Sequence, residues 1–132
     1  MFYKKIIISI LYFFLFFFPL SLKAQNVDYE KLSLDELEES FAQIHDNPTG
    51  EKVCNIFIRK AKKENNIEAL FRAYKIAAFF TKNPKNIKYA DSTLIIAKKI
   101  NKPYFLTNAF LCSSNIKDMN TNSSEGFKEI YY

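Results

Sequence analysis

An all-α fold of stacked helical hairpins is what this sequence predicts, on three observations. The 132-residue chain matches itself without a gap when slid by 36 residues. Lys52 then falls on Lys88, Ala61-Lys62-Lys63 on Ala97-Lys98-Lys99, Asn65 on Asn101, Leu70 on Leu106, Ala73 on Ala109 and Tyr74 on Phe110. An Asn-Pro pair precedes each copy, at Asn47-Pro48 and Asn83-Pro84. Apolar residues recur at helical spacing, and strands find almost no foothold. A period of about 34 to 40 residues is the length of one helical hairpin in a solenoid.

The amino terminus decides how much of the chain has to fold. Lys4 and Lys5 precede an almost unbroken apolar run over residues 6–22 that contains Pro19, and Lys23-Ala24-Gln25 then turns polar. This is the order of a secretory signal peptide over residues 1–24, with the cut after Ala24. Leu22 is bulkier than the small residue usual two positions before the cut. The alternative is an uncleaved inner-membrane anchor. Seventeen residues of helix rise about 25 Å, short of the roughly 30 Å hydrocarbon core, which favours cleavage and a periplasmic or secreted chain. No cysteine stands near the junction to accept a lipid.

Removing residues 1–24 takes away Lys4, Lys5 and Lys23 and no acid, so the formal charge falls from +5 to +2. The basic balance is therefore mostly leader, and the remaining chain suffices for one small domain.

Ser33-Leu34-Asp35-Glu36 reads as a capping box, with Leu32 and Leu37 at the staple positions. Leu34, Leu37, Phe41 and Ile44 then keep one stripe, which predicts a capped helix over 34–45 within an amino-terminal segment 25–47. At each Asn-Pro pair, Asn is expected to cap and proline to take the first turn, where its missing donor costs nothing. Breaks at Asn65-Asn66, Lys82-Asn83-Pro84 and Asn101-Lys102-Pro103 divide the rest into helices over 48–64, 66–81, 84–100 and 103–117. Ala73, Ala77, Ala78 and Ala109 lie among Tyr74, Phe80 and Phe110, so small positions can receive bulky neighbours across a helix pair.

On these residues the chain resembles the tetratricopeptide repeat family. Tyr74-Lys75-Ile76-Ala77-Ala78 is similar to the family's first helix, with Tyr74 at the large aromatic position and Ala78 at the small one. Phe110 and Ser114 fill the same roles in the next unit. Gly126-Phe127-Lys128-Glu129-Ile130-Tyr131-Tyr132 resembles the glycine turn and the opening of a second helix, with Ile130 where the family prefers alanine. Ser113 and Lys117 stand where the family has apolar residues. The resemblance spans about 48–132 and implies a right-handed superhelix of about two and a half units. The final helix, from about Ser124, would stop after two turns and leave Ile130, Tyr131 and Tyr132 without a polar cap, which invites self-association at that end.

More narrowly, leader, capped helix, Asn-Pro repeats and Ala-Lys-Lys-x-Asn resemble the exported amino-terminal sensor of bacterial AraC-type helix-turn-helix regulators. That resemblance implies the amino-terminal part of a longer signalling regulator, or a truncated remnant of one, and carries over no DNA-binding residue. It also implies an interaction or sensing module that meets a protein or peptide. Its concave face would be formed by Arg72, Lys75, Phe79 and Lys82, then Asn108, Leu111, Asn115 and Asp118.

Chemistry-bearing groups are few. His45, the only histidine, could orient a nucleophile such as Cys54 in a small hydrolase. At a helix end with no accompanying base-orienter motif, it reads better as a polar terminus residue, so no enzyme activity is expected. Cys54 and Cys112 lack zinc spacing and read as small buried hydrophobes rather than a bridge. No metal or other cofactor is expected, and Gly50 and Gly126, the only glycines, exclude a glycine-rich phosphate cradle. The basic runs Arg59-Lys60 with Lys62-Lys63, and Lys98-Lys99 with Lys102, fall at carboxyl helix ends. There positive charge offsets the helix dipole, so they read as solvated ends rather than a nucleic-acid site. Membrane contact is expected only through an uncleaved leader.

Overall fold

A cap made by two side chains opens the first helix. Glu36 N–H donates to Ser33 Oγ at 3.3 Å, and Ser33 N–H donates to Glu36 Oε2 at 2.8 Å, the reciprocal box expected from the sequence. The computed structural model describes residues 27–121. The leader over 1–24 and the resemblance over 126–132 lie outside the described residues.

α1 spans Leu34–Ser40 and tightens into a 3-10 turn over Phe41–Gln43 instead of running on to residue 45. The reason is local: the Ser40 hydroxyl donates to the Leu37 carbonyl at 2.7 Å, and Ile44 N–H reaches back only three residues to Phe41. The apolar stripe survives the change. Leu34, Leu37 and Ile44 are buried, and Phe41 lies 5.3 Å from the Phe80 ring and 6.5 Å from that of Phe57.

α2 spans Asn47–Lys63. Its cap is Asp46, not Asn47: Thr49 N–H donates to Asp46 Oδ1 at 2.8 Å, and Pro48 sits in the first turn as expected. α2 ends in a turn where Asn65 adopts φ 53° and Asn66 N–H bonds to the Ala61 carbonyl. Asn66 then caps α3, Ile67–Phe80, accepting from Ala69 N–H at 2.9 Å. At the equivalent break Asn101 has φ 54°, so the two left-handed residues stand 36 apart, the interval of the self-match. Asparagine tolerates this conformation better than other residues with a Cβ.

The second Asn-Pro pair behaves differently from the first. α4 spans Lys85–Ile100 with Pro84 ahead of it, no side chain caps it, and the Asn83-Pro84 peptide is cis. The amides that an Asn83 cap would take, those of Lys85 and Asn86, donate instead to the Lys82 carbonyl at 2.9 and 3.2 Å. α5, Pro103–Thr121, runs beyond the expected residue 117.

Each of α2 to α5 packs most extensively on its neighbour in sequence, and among the described residues there is no strand. Ala69, Ala73 and Ala77 face the α2 residues Val53, Cys54, Phe57 and Ala61. Ala78 joins Ala90, Cys112 and Ile116, while Phe71 meets Phe105 edge-on at 4.9 Å within the cluster that holds Ile96, Ala97 and Ala109. The four small positions picked out by the sequence are all fully covered. Burying a Phe such as Phe57 contributes roughly 1.5–3 kcal/mol.

Alternate helices are also tied together. Arg72 Nε donates to Glu38 at 2.6 Å, Lys85 pairs with Glu51 at 2.5 Å, Lys102 pairs with Glu68 at 2.9 Å, and Tyr89 OH donates to Asn55 at 3.5 Å. These link α1 to α3, α2 to α4 and α3 to the residue just ahead of α5, each across 34 residues. Like-numbered ends therefore lie together. Contacts at 34 with sequence equivalence at 36 mean that repeat-equivalent residues slip past one another by about two residues, or about 3 Å of helix rise. The exposed ion pairs, Lys85–Glu51 and Lys102–Glu68, contribute about 1 kcal/mol each at most, so they report register more than stability.

Candidate functional site

α1, α3 and α5 form one row of the fold, linked through Glu38 to Arg72 and Glu68 to Lys102. The residues expected on a binding face fall on two members of that row. None of the eight is buried: Phe79, Lys82, Leu111 and Asn115 are exposed, and Arg72, Lys75, Asn108 and Asp118 are half-buried. On α5, Asn108, Leu111, Asn115 and Asp118 recur at helical spacing and share a stripe. Because Ala78 packs with Cys112 and Ile116, the two sets stand on adjoining helices.

Three of the eight have other duties. Arg72 is held by Glu38 at 2.6 Å and Asp35 at 3.9 Å, so its charge is offset by α1. Asn108 donates back to the Tyr104 carbonyl of its own helix at 2.9 Å. Lys82 lies past the end of α3, and its carbonyl starts α4. The groups of this set with the most to offer a partner are thus Lys75, Phe79, Leu111, Asn115 and Asp118.

Sequence reasoning passed over two residues of the α5 stripe. Tyr104 is 67 % exposed and Met119 64 %, against 46 % for Phe79 and 45 % for Leu111. Their signal was the spacing 104, 111, 119, which continues the same stripe. α5 therefore carries large apolar groups outward along its whole length as well as inward at Phe105, Ala109, Cys112 and Ile116.

Two further depressions flank the row at opposite ends. One of about 390 Å³ is lined by Asn47, Pro48, Glu51, Phe80, Pro84 and Lys85, where α2 and α4 begin. The Glu51 carboxylate there holds the Lys85 ammonium above its usual pKa. The other, about 270 Å³, lies between the last turns of α2 and α4 and the first turn of α3. Lys62 and Lys99 stand over an apolar floor of Ala61, Ile67, Leu70 and Ile96.

The two cysteines are free and buried, in separate parts of the core. Burial pushes the Cys54 thiol up to about 12, with Glu51 adding to it, and the Cys112 thiol up to about 11. Both thiols stay protonated at neutral pH, the opposite of what a nucleophile requires. His45 is exposed on the loop ahead of Asp46, whereas Cys54 points into the core. Among the described residues no three His, Cys, Asp or Glu side chains gather as metal ligands, and no helix is long and apolar enough to cross a membrane.

Charge is unevenly placed. α1 carries Asp35, Glu36, Glu38 and Glu39 and no base, while the last turns of α2 and α4 carry Lys60, Lys62, Lys63, Lys98 and Lys99. Comparison of the chain with protein-family models, with curated proteins and with solved structures gives no match.

Proposed function

We propose that the chain is an exported, non-enzymatic interaction or sensing module, a tetratricopeptide-like stack of about two and a half hairpins that forms the amino-terminal part of a longer signalling regulator. The left-handed asparagines 36 residues apart and the ties between alternate helices support the repeat reading. The partner is a protein or peptide met outside the cytoplasm, on the face built from α3 and α5.

One observation carries the functional part: Phe79 and Leu111 stand exposed on adjoining helices, beside Lys75 and Asn115. Paired apolar anchors flanked by polar groups that can meet peptide carbonyls and carboxylates suit an extended or helical segment. The test is co-purification from the periplasmic fraction, comparing wild type with the Phe79→Ser/Leu111→Ser double variant and with Ile95→Ser, an exposed residue of α4. A partner lost with the double variant and kept with Ile95→Ser supports this face. A partner retained by the double variant removes it.

A further inference from the structure

We infer that the end of the bundle formed by the last turns of α2 and α4 docks on an anionic phospholipid surface. Lys63, Lys98 and Lys99 are exposed and make no ion pair with any described residue. Lys62 stands over the Tyr74 ring at 5.8 Å. The acids at this end are Glu30, Glu36, Glu64 and Glu68; Glu30 is taken by Arg59, Glu36 accepts from the Ser33 amide, and Glu68 is taken by Lys102. Offsetting the helix dipoles accounts for lysines at these ends but not for the apolar groups among them. Ile67 and Tyr104, 40 % and 67 % exposed, open α3 and α5 at this same end. A tyrosine and an aliphatic side chain interleaved with lysines suit the boundary between headgroups and acyl chains.

The slot between Lys62 and Lys99, with its floor of Ile67, Leu70 and Ile96, offers cations at the rim and apolar contact below, the complement of an anionic headgroup joined to its acyl chains.

The experiment places the full chain in vesicles of phosphatidylcholine, with or without phosphatidylglycerol, and acylates exposed lysines with a water-soluble reagent read by mass spectrometry. The measure is labelling of Lys63, Lys98 and Lys99 relative to Lys52 and Lys88, which lie near the starts of α2 and α4. With phosphatidylglycerol the ratio falls about fivefold or more, corresponding to about 1 kcal/mol per lysine at an anionic surface, and high salt restores it. In the Lys63→Gln/Lys98→Gln variant the protection of Lys99 weakens. A ratio equal in the two vesicle types overturns the inference, as does the same protection by inorganic phosphate without lipid. Substitutions at Phe79 and Leu111 leave the ratio unmoved, so this surface and the partner face stand or fall separately.

Discussion

Gly50 is buried in the first turns of α2, where the ring of Phe80 crosses the helix. A Cβ built on Gly50 would lie 2.0 Å from Phe80 Cδ1 and 2.6 Å from Cγ and Cε1. To reach ordinary contact the ring would have to retreat by more than 1 Å, and the Phe41 ring stands 5.3 Å away. Two effects of Gly50→Ala oppose each other. Alanine gains about 1 kcal/mol of helix propensity over glycine, whereas forcing a methyl into a filled site costs about 1–3 kcal/mol, sometimes more. Contact with the ring's Cγ as well as its edge means that rotation alone cannot clear the clash, so the upper part of that range applies. A net loss of about 1–2 kcal/mol is expected from the balance of the two, or a fall in Tm of about 4–16 °C for a domain this size. The assay is thermal unfolding followed by far-UV circular dichroism. Gly50→Ala is compared with Phe80→Ala and the double variant, in which alanine at 50 should become neutral or favourable because the ring is gone. A Gly50→Ala protein with a higher Tm than wild type, or a double variant whose losses simply add, would refute the close approach.

Other expectations test other links. Asn65→Gly and Asn101→Gly should leave stability nearly unchanged, while the alanine variants lose roughly 1–2 kcal/mol each in chemical denaturation, because a Cβ without a helpful polar group is strained at positive φ. Asp46 has its carboxyl held below the ordinary 3.8 chiefly by the Thr49 amide. A depressed carboxylate stabilises above its unfolded pKa and loses that contribution as pH falls through the folded value, so Asp46→Asn should flatten the acid limb of the pH-stability curve below pH 4. Cys54 and Cys112 have thiols raised from 9.0 to about 12 and about 11 by burial. Their contribution is fully present below pH 9 and lost as pH rises through 11 to 12, so stability should decline on the alkaline side. Cys54→Ala/Cys112→Ala should lessen that decline. Neither thiol should react with a disulfide reagent at pH 8 until denaturant is added, and rapid native labelling would contradict the core placement.

What could be read along the chain was what neighbours within one turn decide. The capping box at Ser33, the proline in the first turn of α2 and the asparagines that close α2 and α4 depend on contacts between residues at most five apart. The early end of α1 was legible in principle from Ser40, whose hydroxyl turns back on Leu37, but the stripe through Ile44 outweighed it. Two identical Asn-Pro pairs gave different helix starts because after the second the Lys85 and Asn86 amides donate to the Lys82 carbonyl, a backbone choice that residue type does not encode.

The face on α3 and α5 was legible as a spacing but not as a chemistry. Arg72 reads as a free cation in the sequence, and only the lie of α1 against α3 gives it Glu38 and Asp35. Tyr104 falls at the start of the helix expected over 103–117 and Met119 past its expected end, and packing of the opposite side leaves both outward.

By itself, then, the sequence determined that the chain is helical, where most helices begin and end, and that two hairpins are related by 36 residues. The tertiary structure decided that alternate helices bond across 34, that Phe80 lies over Gly50 and that the cysteines sit in separate parts of the core. The difference is one of range. A helix is fixed by bonds within its own turns, whereas the axial offset of two helices comes from how alanine and phenylalanine side chains interlock across the gap, and that offset chooses which distant side chains meet.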